Sequence, residues 1–292
     1  MNLILSFIVV TLSVFGGFAW ASGGFTNFPV LLQPSEYLVI LGAGIGALIG
    51  YAPLSVTKRI IKSVPLAFKG SGITKETYLQ LMGLLLSIFN VIRKEGVLGL
   101  EKDLNDPHTS ERFNKFPLIA KNHHAMELLI SALKLFVDGV INAFDLDKLM
   151  ETEIDTHNHE SAVSPTLMGK MADALPGLGI VAAVLGIIIT MGALGGDVAE
   201  IGHHVAAALV GTFLGILCCY GYFQPLASSI EMAQHDNHVL LNAIRAGLVA
   251  FVSGSPPAVA LEFARKSIES DKRPNDIEME KIQQDARGGS TG

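Results

Sequence analysis

All 21 Lys and Arg residues of this chain fall in two blocks, 58–170 and 245–292, and residues 1–57 and 171–244 contain none. The two Lys/Arg-free stretches hold four apolar runs, at about 1–21, 34–54, 174–193 and 202–223. A helix of about 20 residues rises about 30 Å, the thickness of a bilayer's hydrocarbon core. Four such runs predict four membrane spans rather than four buried helices of a soluble domain. Glu36, Asp173 and the pair His203–His204 stand at the ends of the runs, and none has an ionisable side chain near its middle.

The first run ends in Ala19-Trp20-Ala21, which fits the small-x-small pattern of a signal-peptidase site. It lacks a basic start and is too long for the apolar part of a signal peptide, so a retained first span is expected. Lys and Arg stay on the cytoplasmic side of a membrane. Four spans put the region 55–170 and the tail on one side, and both carry the basic residues. Short connections, about 22–33 and 194–201, remain outside; the second holds Asp197 and Glu200 and no basic residue.

The expected architecture is therefore an all-α integral membrane protein of four transmembrane helices. Residues 1–54 form spans 1 and 2, and 171–225 form spans 3 and 4. A helical cytoplasmic domain, 55–170, is inserted between the pairs, and 226–292 make cytoplasmic C-terminal helices and a disordered tail. Within 55–170, Tyr78, Leu81, Leu85, Ile88, Phe89 and Ile92 make a helical stripe over 75–95, starting at Thr74 or Lys75 and ending at Gly96. Asn105-Asp106-Pro107 marks a turn. A second helical pattern covers 121–143, and a shorter acidic one 144–160. After span 4, a polar helix is expected over about 228–253, broken by Gly254-Ser255-Pro256-Pro257, then a helix over 258–270. Residues 287–292 read as disordered.

Small residues recur at helical spacing: Gly42, Gly46 and Gly50 in span 2, Gly179, Ala182, Ala183 and Gly186 in span 3, and Ala207, Gly211 and Gly215 in span 4. Such faces let backbones approach closely, either within one subunit or against another chain. The hydroxyls of Thr190 and Thr212 can bond back to their own helix or face a partner's carboxylate. Pro176 and Pro225 either mark helix boundaries or act as hinges. Cys218 and Cys219 are adjacent on a helix, which argues against a mutual disulfide.

A chain that moves ions alone usually needs an ionisable group inside the membrane. Here either no ion moves or a partner helix supplies that group. The net charge is −6, with no basic stripe interleaved with aromatics, which excludes nucleic acid as the expected partner. His157 and His159, between Asp155 and Glu160, make an H-x-H pattern too weak to name a metal site, and His123-His124 reads as surface. No phosphate-cradling loop or nucleophile elbow occurs. No enzyme activity, metal or cofactor is expected.

Several segments together resemble the MotA family, the larger membrane subunit of the bacterial flagellar stator. They are LVILGAGIGALIG at 38–50, GLEKD at 99–103, LPGLGIVAAVLG at 175–186, LVGTFLGILCCYGY at 209–222 followed by Pro225, and PPAVALEFARK at 256–266 followed by Arg273-Pro274. Each motif is modest, but their joint order covers nearly the whole chain. The resemblance implies an inner-membrane protein with both termini cytoplasmic. It implies a homopentamer around two chains of MotB, a peptidoglycan-anchored partner that supplies a transmembrane Asp. Ion flow between the two proteins would then turn the rotor through FliG. By the same resemblance, Pro176 and Pro225 match the family's functional prolines, and Thr212 the threonine near the partner's aspartate. Arg93 and Glu101 match the charged pair facing the rotor, with Lys94 and Lys102 as neighbours able to share the role. Sodium-type relatives carry a threonine where Ala183 stands; a methyl group cannot ligate Na⁺, so H⁺ is the expected ion. An ExbB or TolQ type energiser has three spans rather than four, and a non-conducting membrane scaffold is the remaining alternative.

Overall fold

The structure is a computed structural model that describes residues 2–192 and 198–288, and their side chains except at 2, 198–200, 203 and 286–288. Among the described residues every regular element is helical. In chain order they are α1 (Asn2–Ala21), α2 (Pro34–Tyr51), α3 (Leu54–Lys69), α4 (Lys75–Glu95), α5 (Glu101–Asn105), α6 (Glu111–Asn114) and α7 (Pro117–Ala120). Then follow α8 (His123–Val137), α9 (Ala143–Gly192), α10 (Val198–Ile216), α11 (Gln224–Val252), α12 (Pro257–Lys266) and α13 (Asp276–Gly288). Four of the helical stretches are long and apolar enough to cross a membrane, as the hydropathy pattern requires.

Contacts divide the chain into two compact units. One comprises Met1–Gly70 and Ser161–Ala233, the other Ser71–Glu160 and Gln234–Gly292. These limits follow packing and differ from the hydropathy limits at 54, 170 and 225, since 55–70 and 161–170 pack with the spans.

In the membrane unit, α2, α9 and α10 share a core of Ile40, Leu175, Ala182, Val210 and Leu214. A second core joins α1, α3, α9 and α11 through Leu3, Ile60, Ala67, Met168, Met171 and Ile230. Phe7 of α1 meets Phe68 and Tyr222 edge-on, at ring-centroid distances of 6.0 and 5.2 Å. The opposite face of α1, including Leu5 and Leu12, is exposed, as lipid contact demands.

The other unit is built on α4, whose stripe of Tyr78, Leu81, Leu85, Ile88 and Phe89 is wholly buried. It packs in one core with Leu129 and Leu133 of α8, Ile244 and Leu248 of α11, and Leu261 of α12. The N-terminus of α4 is closed by the Thr74 amide donating to Thr77 Oγ1 at 3.1 Å. Its C-terminus ends at Gly96, whose φ of 77° belongs to the left-handed region that glycine tolerates. Burial pushes the Tyr78 hydroxyl well above its ordinary range, helped by Asp236, Glu269 and Asp271.

Four expectations are amended. The acidic segment 144–160 is not a separate helix but the first part of α9, which runs 50 residues into span 3. Consequently Pro176 lies inside a continuous helix rather than at its boundary, as does Pro165. Second, α3 is an additional amphipathic helix, also carrying an internal proline, Pro65. Third, the polar helix after span 4 has no gap before it: Leu217–Phe223 is a π-helical segment leading directly into α11, so Pro225 sits within continuous helix.

Fourth, residues 276–288 are helix α13 rather than unstructured tail, and this includes Arg287 and Gly288. The cap is a reciprocal pair. The Glu278 amide donates to Asn275 Oδ1 at 2.9 Å, and the Asn275 amide donates to Glu278 Oε2 at 2.7 Å. Lys75 pairs with Glu278 at 2.8 Å, and its hydrogen bond holds that carboxyl below the usual carboxylate range. Buried Arg265 donates to the Pro274 carbonyl and pairs with Asp276, which ties α12 to the start of α13. Residues 289–292, and 193–197 with Asp197, lie outside the described residues.

Candidate ion-path site in the membrane unit

Glycines decide where the third and fourth spans touch. A Cβ at Gly215 of α10 would lie 2.6 Å from the Leu175 carbonyl oxygen of α9. One at Gly179 would lie 2.8 Å from the Gly211 carbonyl oxygen, and one at Gly186 would lie 2.9 Å from the Ala208 Cβ. Two helix backbones are therefore in direct contact over this seam, and the small residues of spans 3 and 4 serve packing within one subunit. The row in span 2 does not: nothing lies within 4 Å of a Cβ at Gly46 or Gly50. There Gly44 is the packed glycine, against Leu175.

The seam also holds a carboxylate. Glu36, in the first turn of α2 after Pro34, is only 6% exposed. Acidic residues are favoured in a helix's first turn, where the free amides make the end positive. The fold turns this one inward. Its Oε2 has no hydrogen-bond partner among the described residues, and it lies 2.6 Å from where a Gly211 Cβ would be. Any other residue at 211 would displace the carboxyl. The same glycine position meets Ala182 and the Ala183 amide at 3.2 and 3.3 Å. Glu36 stands at the end of its run in sequence, yet it is buried against the fourth span. An acid two residues after a helix-starting proline, with a Gly row elsewhere, is the signal available in the sequence.

Thr212 follows Gly211 and is half-buried, with no side-chain hydrogen bond among the described residues. Thr190 differs. Its hydroxyl donates to the Gly186 carbonyl at 2.8 Å, the helix-internal use of a threonine. Ala183 and Glu36 both approach Gly211, the residue that precedes Thr212. Pro176 is next to Leu175, whose carbonyl meets Gly215, about one helical turn away along α10. Pro225 lies further along the chain, after the π-helical segment. Proline offers no amide to the preceding turn, and the Gln224 amide donates to the Cys219 carbonyl five residues back, the wider π pattern. Gln224 Nε2 also donates to Asp173 Oδ1 at 2.6 Å, which links the segments around the two prolines. Cys218 and Cys219 are free thiols in this segment.

On α9, Ile180, Val184, Ile187 and Ile188 are exposed, on a different face from the glycine seam. Arg93 and Glu101 belong to the other unit. Arg93 closes α4, Glu101 opens α5, and the 3₁₀ turn Val97–Leu100 separates them. Both are exposed and within one short stretch, as a surface pair requires.

Residues 4–96 match the family model for the motility protein A N-terminal region, and 120–241 that for the MotA/TolQ/ExbB proton channel family. Motility protein A of Escherichia coli (strain K12) is 35% identical over 280 residues, covering 96% of this chain and 94% of the relative. Chemotaxis protein LafT of Vibrio parahaemolyticus is 37% identical over 281 residues, covering 96% and 98%. In fold, the chain is similar to a chain of Campylobacter jejuni MotAB, with TM-score 0.76 and 18% identity over 92% of this chain and 96% of that one. It is also similar to a chain of the Bacillus subtilis flagellar MotAB stator complex, with TM-score 0.71 and 22% identity over 89% and 92%. This chain belongs to the motility protein A family, the stator-subunit branch of the MotA/TolQ/ExbB proton channel family.

Proposed function

We propose that this stator subunit conducts protons jointly with a MotB-type partner in the bacterial inner membrane and converts their flow into torque. The observation that carries the reading is the seam of Ala183, Gly211, Thr212 and Glu36. There the Glu36 carboxyl faces the Gly211 position, and the Thr212 hydroxyl belongs to the next residue of the same helix. The exposed stripe of Ile180, Val184, Ile187 and Ile188 is where the partner's helix docks. The partner supplies the ionisable Asp that cycles between charged and neutral forms, and Thr212 orients it. Ala183 offers no oxygen to a metal cation, which favours H⁺. Pro176 and Pro225, inside continuous helices, are where α9 and the α10–α11 rod bend as that Asp changes charge. Five copies around two partner chains, with both termini cytoplasmic, fit the basic residues of 55–170 and the tail on one side. Arg93 and Glu101 then meet the rotor protein FliG.

The test is proton influx, read from an internal pH-sensitive fluorophore in cells that co-express the chain and its partner. Thr212→Val and Glu36→Gln are each expected to reach normal membrane levels. Each should lower influx about tenfold, the equivalent of roughly 1.4 kcal/mol for a lost polar contact in the path. Wild-type influx in Thr212→Val would overturn the path. Wild-type influx in Glu36→Gln alone would reduce Glu36 to a packing group.

The rotor surface has its own test. Reversing both charges, Arg93→Glu with Glu101→Lys, should leave the membrane level unchanged and cut torque on tethered cells. The deficit should be largest at low ionic strength, where exposed charges are least screened. Normal swimming of the double variant in low-salt medium would remove both residues from the rotor contact.

A further inference from the structure

Helices α8 and α9 are consecutive, joined through residues 138–142, and each carries a His-x-x-Glu set. On α8 it is His124 and Glu127; on α9 it is His157 and Glu160. Residues three apart on a helix share a face. The two sets meet across the hairpin, with the rings of His124 and His157 only 4.1 Å apart at their centroids. His123 adds a third imidazole, its ring 5.8 Å from that of His124 and its Nδ1 3.4 Å from Glu127 Oε2. One ligand atom from each of His123, His124 and Glu127 lies within 4.8 Å of the others. A cavity of about 370 Å³ opens beside them, lined by His124, Glu127, Glu153, His157 and Glu160.

Two imidazoles facing each other at this distance, with carboxylates on both flanks, are poorly explained by packing alone. The side chains of His123 and Glu127 are 84% and 60% exposed, so neither fills a core. Mixed imidazole and carboxylate donors are the set that zinc and the neighbouring late transition ions select, whereas Mg²⁺ and Ca²⁺ require oxygen throughout. Tetrahedral zinc with bonds of about 2.0–2.1 Å needs ligand atoms about 3.3 Å apart. Small rotations of the exposed His123, His124 and Glu127 side chains close their 4.8 Å spread to that value, and the half-buried His157 ring, already beside that of His124, has to turn a nitrogen toward them.

We propose that His124, Glu127 and His157, with His123 as the fourth ligand, form a zinc-class metal site that clamps α8 to the first part of α9. The donors come from segments about 30 residues apart, which is why neither H-x-H nor His-His in the sequence points to it. The site lies in the unit that also carries Arg93 and Glu101. A bound ion would fix the register of α9 against α8 and stiffen that unit, raising its unfolding temperature by mass action.

The full chain, purified in detergent with its MotB-type partner and stripped with a chelator, is titrated with Zn²⁺ alone in a calorimeter. Co²⁺ substitution supplies an independent spectrum of the site. The expected result is one saturable ion per chain and tetrahedral Co²⁺ bands, with Mg²⁺ silent. His124→Ala and His157→Ala should each weaken Zn²⁺ binding at least about tenfold, given that losing even an outer-shell partner of a metal costs 10–100-fold. His108→Ala, on an exposed histidine elsewhere, should bind as the wild type does. Glu127→Gln, on an exposed side chain, keeps the test decisive if His157→Ala fails to fold. The absence of saturable binding, or wild-type affinity in the His124→Ala, His157→Ala double variant, overturns the proposal.

Discussion

Gly215→Val is expected to abolish motility and remove the chain from the membrane fraction, whereas Gly46→Val should leave the membrane unit's stability unchanged. Both glycines sit in small-residue rows of apolar runs, so hydropathy treats them alike. At Gly215 the first added atom would lie 2.6 Å from a backbone oxygen, that of Leu175, and 3.0 Å from the Gly179 Cα. Backbone cannot rotate aside as a side chain does. Overpacking a core costs about 1–3 kcal/mol when side chains can adjust, and this clash falls at or above the upper end of that range. At Gly46 no atom lies within 4 Å. Quantitative blotting of membranes and thermal unfolding in detergent, run on both variants, check the contrast. Equal stability of the two would mean that the α9–α10 seam is not the packing contact that organises the membrane unit.

The second large effect is expected at Phe89. Its ring is fully buried and stacks on Phe251 at a centroid distance of 4.2 Å and 9° between planes. Phe89→Ala leaves a cavity that the tightly packed α4, α11 and α12 cannot refill. Such truncations cost about 3–5 kcal/mol, a large fraction of the stability of a domain this size. Phe89 is four residues before Arg93 on α4, one turn away on the same face. The loss should therefore loosen the turn that presents Arg93. Swimming should fail on modest warming while the chain still reaches the membrane. Phe89→Leu, which keeps most of the volume, should recover most of the loss. Proteolysis of the cytoplasmic unit across a temperature series distinguishes these outcomes. Wild-type resistance in Phe89→Ala would remove this stack from the core.

What was legible in the residues follows the range of the physics involved. The helix over Lys75–Glu95 is readable to its ends, because Thr74 and Gly96 act through bonds only a few residues long. Asn275-Asp276-Ile277-Glu278 also carries a local cap, but the polar composition of 276–288 masks it. The helix forms there because Arg265 and Lys75 hold its first turn. The break expected near residue 160 is absent because composition changes there while helix propensity does not. An apolar run and an acidic run can share one continuous ladder of backbone hydrogen bonds. Pro176 and Pro225 left boundary and hinge open for a related reason. Proline usually ends a soluble helix, but packed neighbours in a membrane tolerate it.

By itself the sequence determined that this is a four-span helical membrane chain and which runs form the spans. A bilayer acts as a solvent on each segment separately, so length, apolarity and the placement of Lys and Arg are enough. Family membership was legible as well, through motifs in a shared order. Only the tertiary structure decided which of two similar glycine rows makes a helix seam. It also decided that Glu36, at the edge of one span, is buried against Gly211 of another, and that His124 and His157 face each other. Those facts depend on how helices far apart in the chain cross, which no local composition encodes.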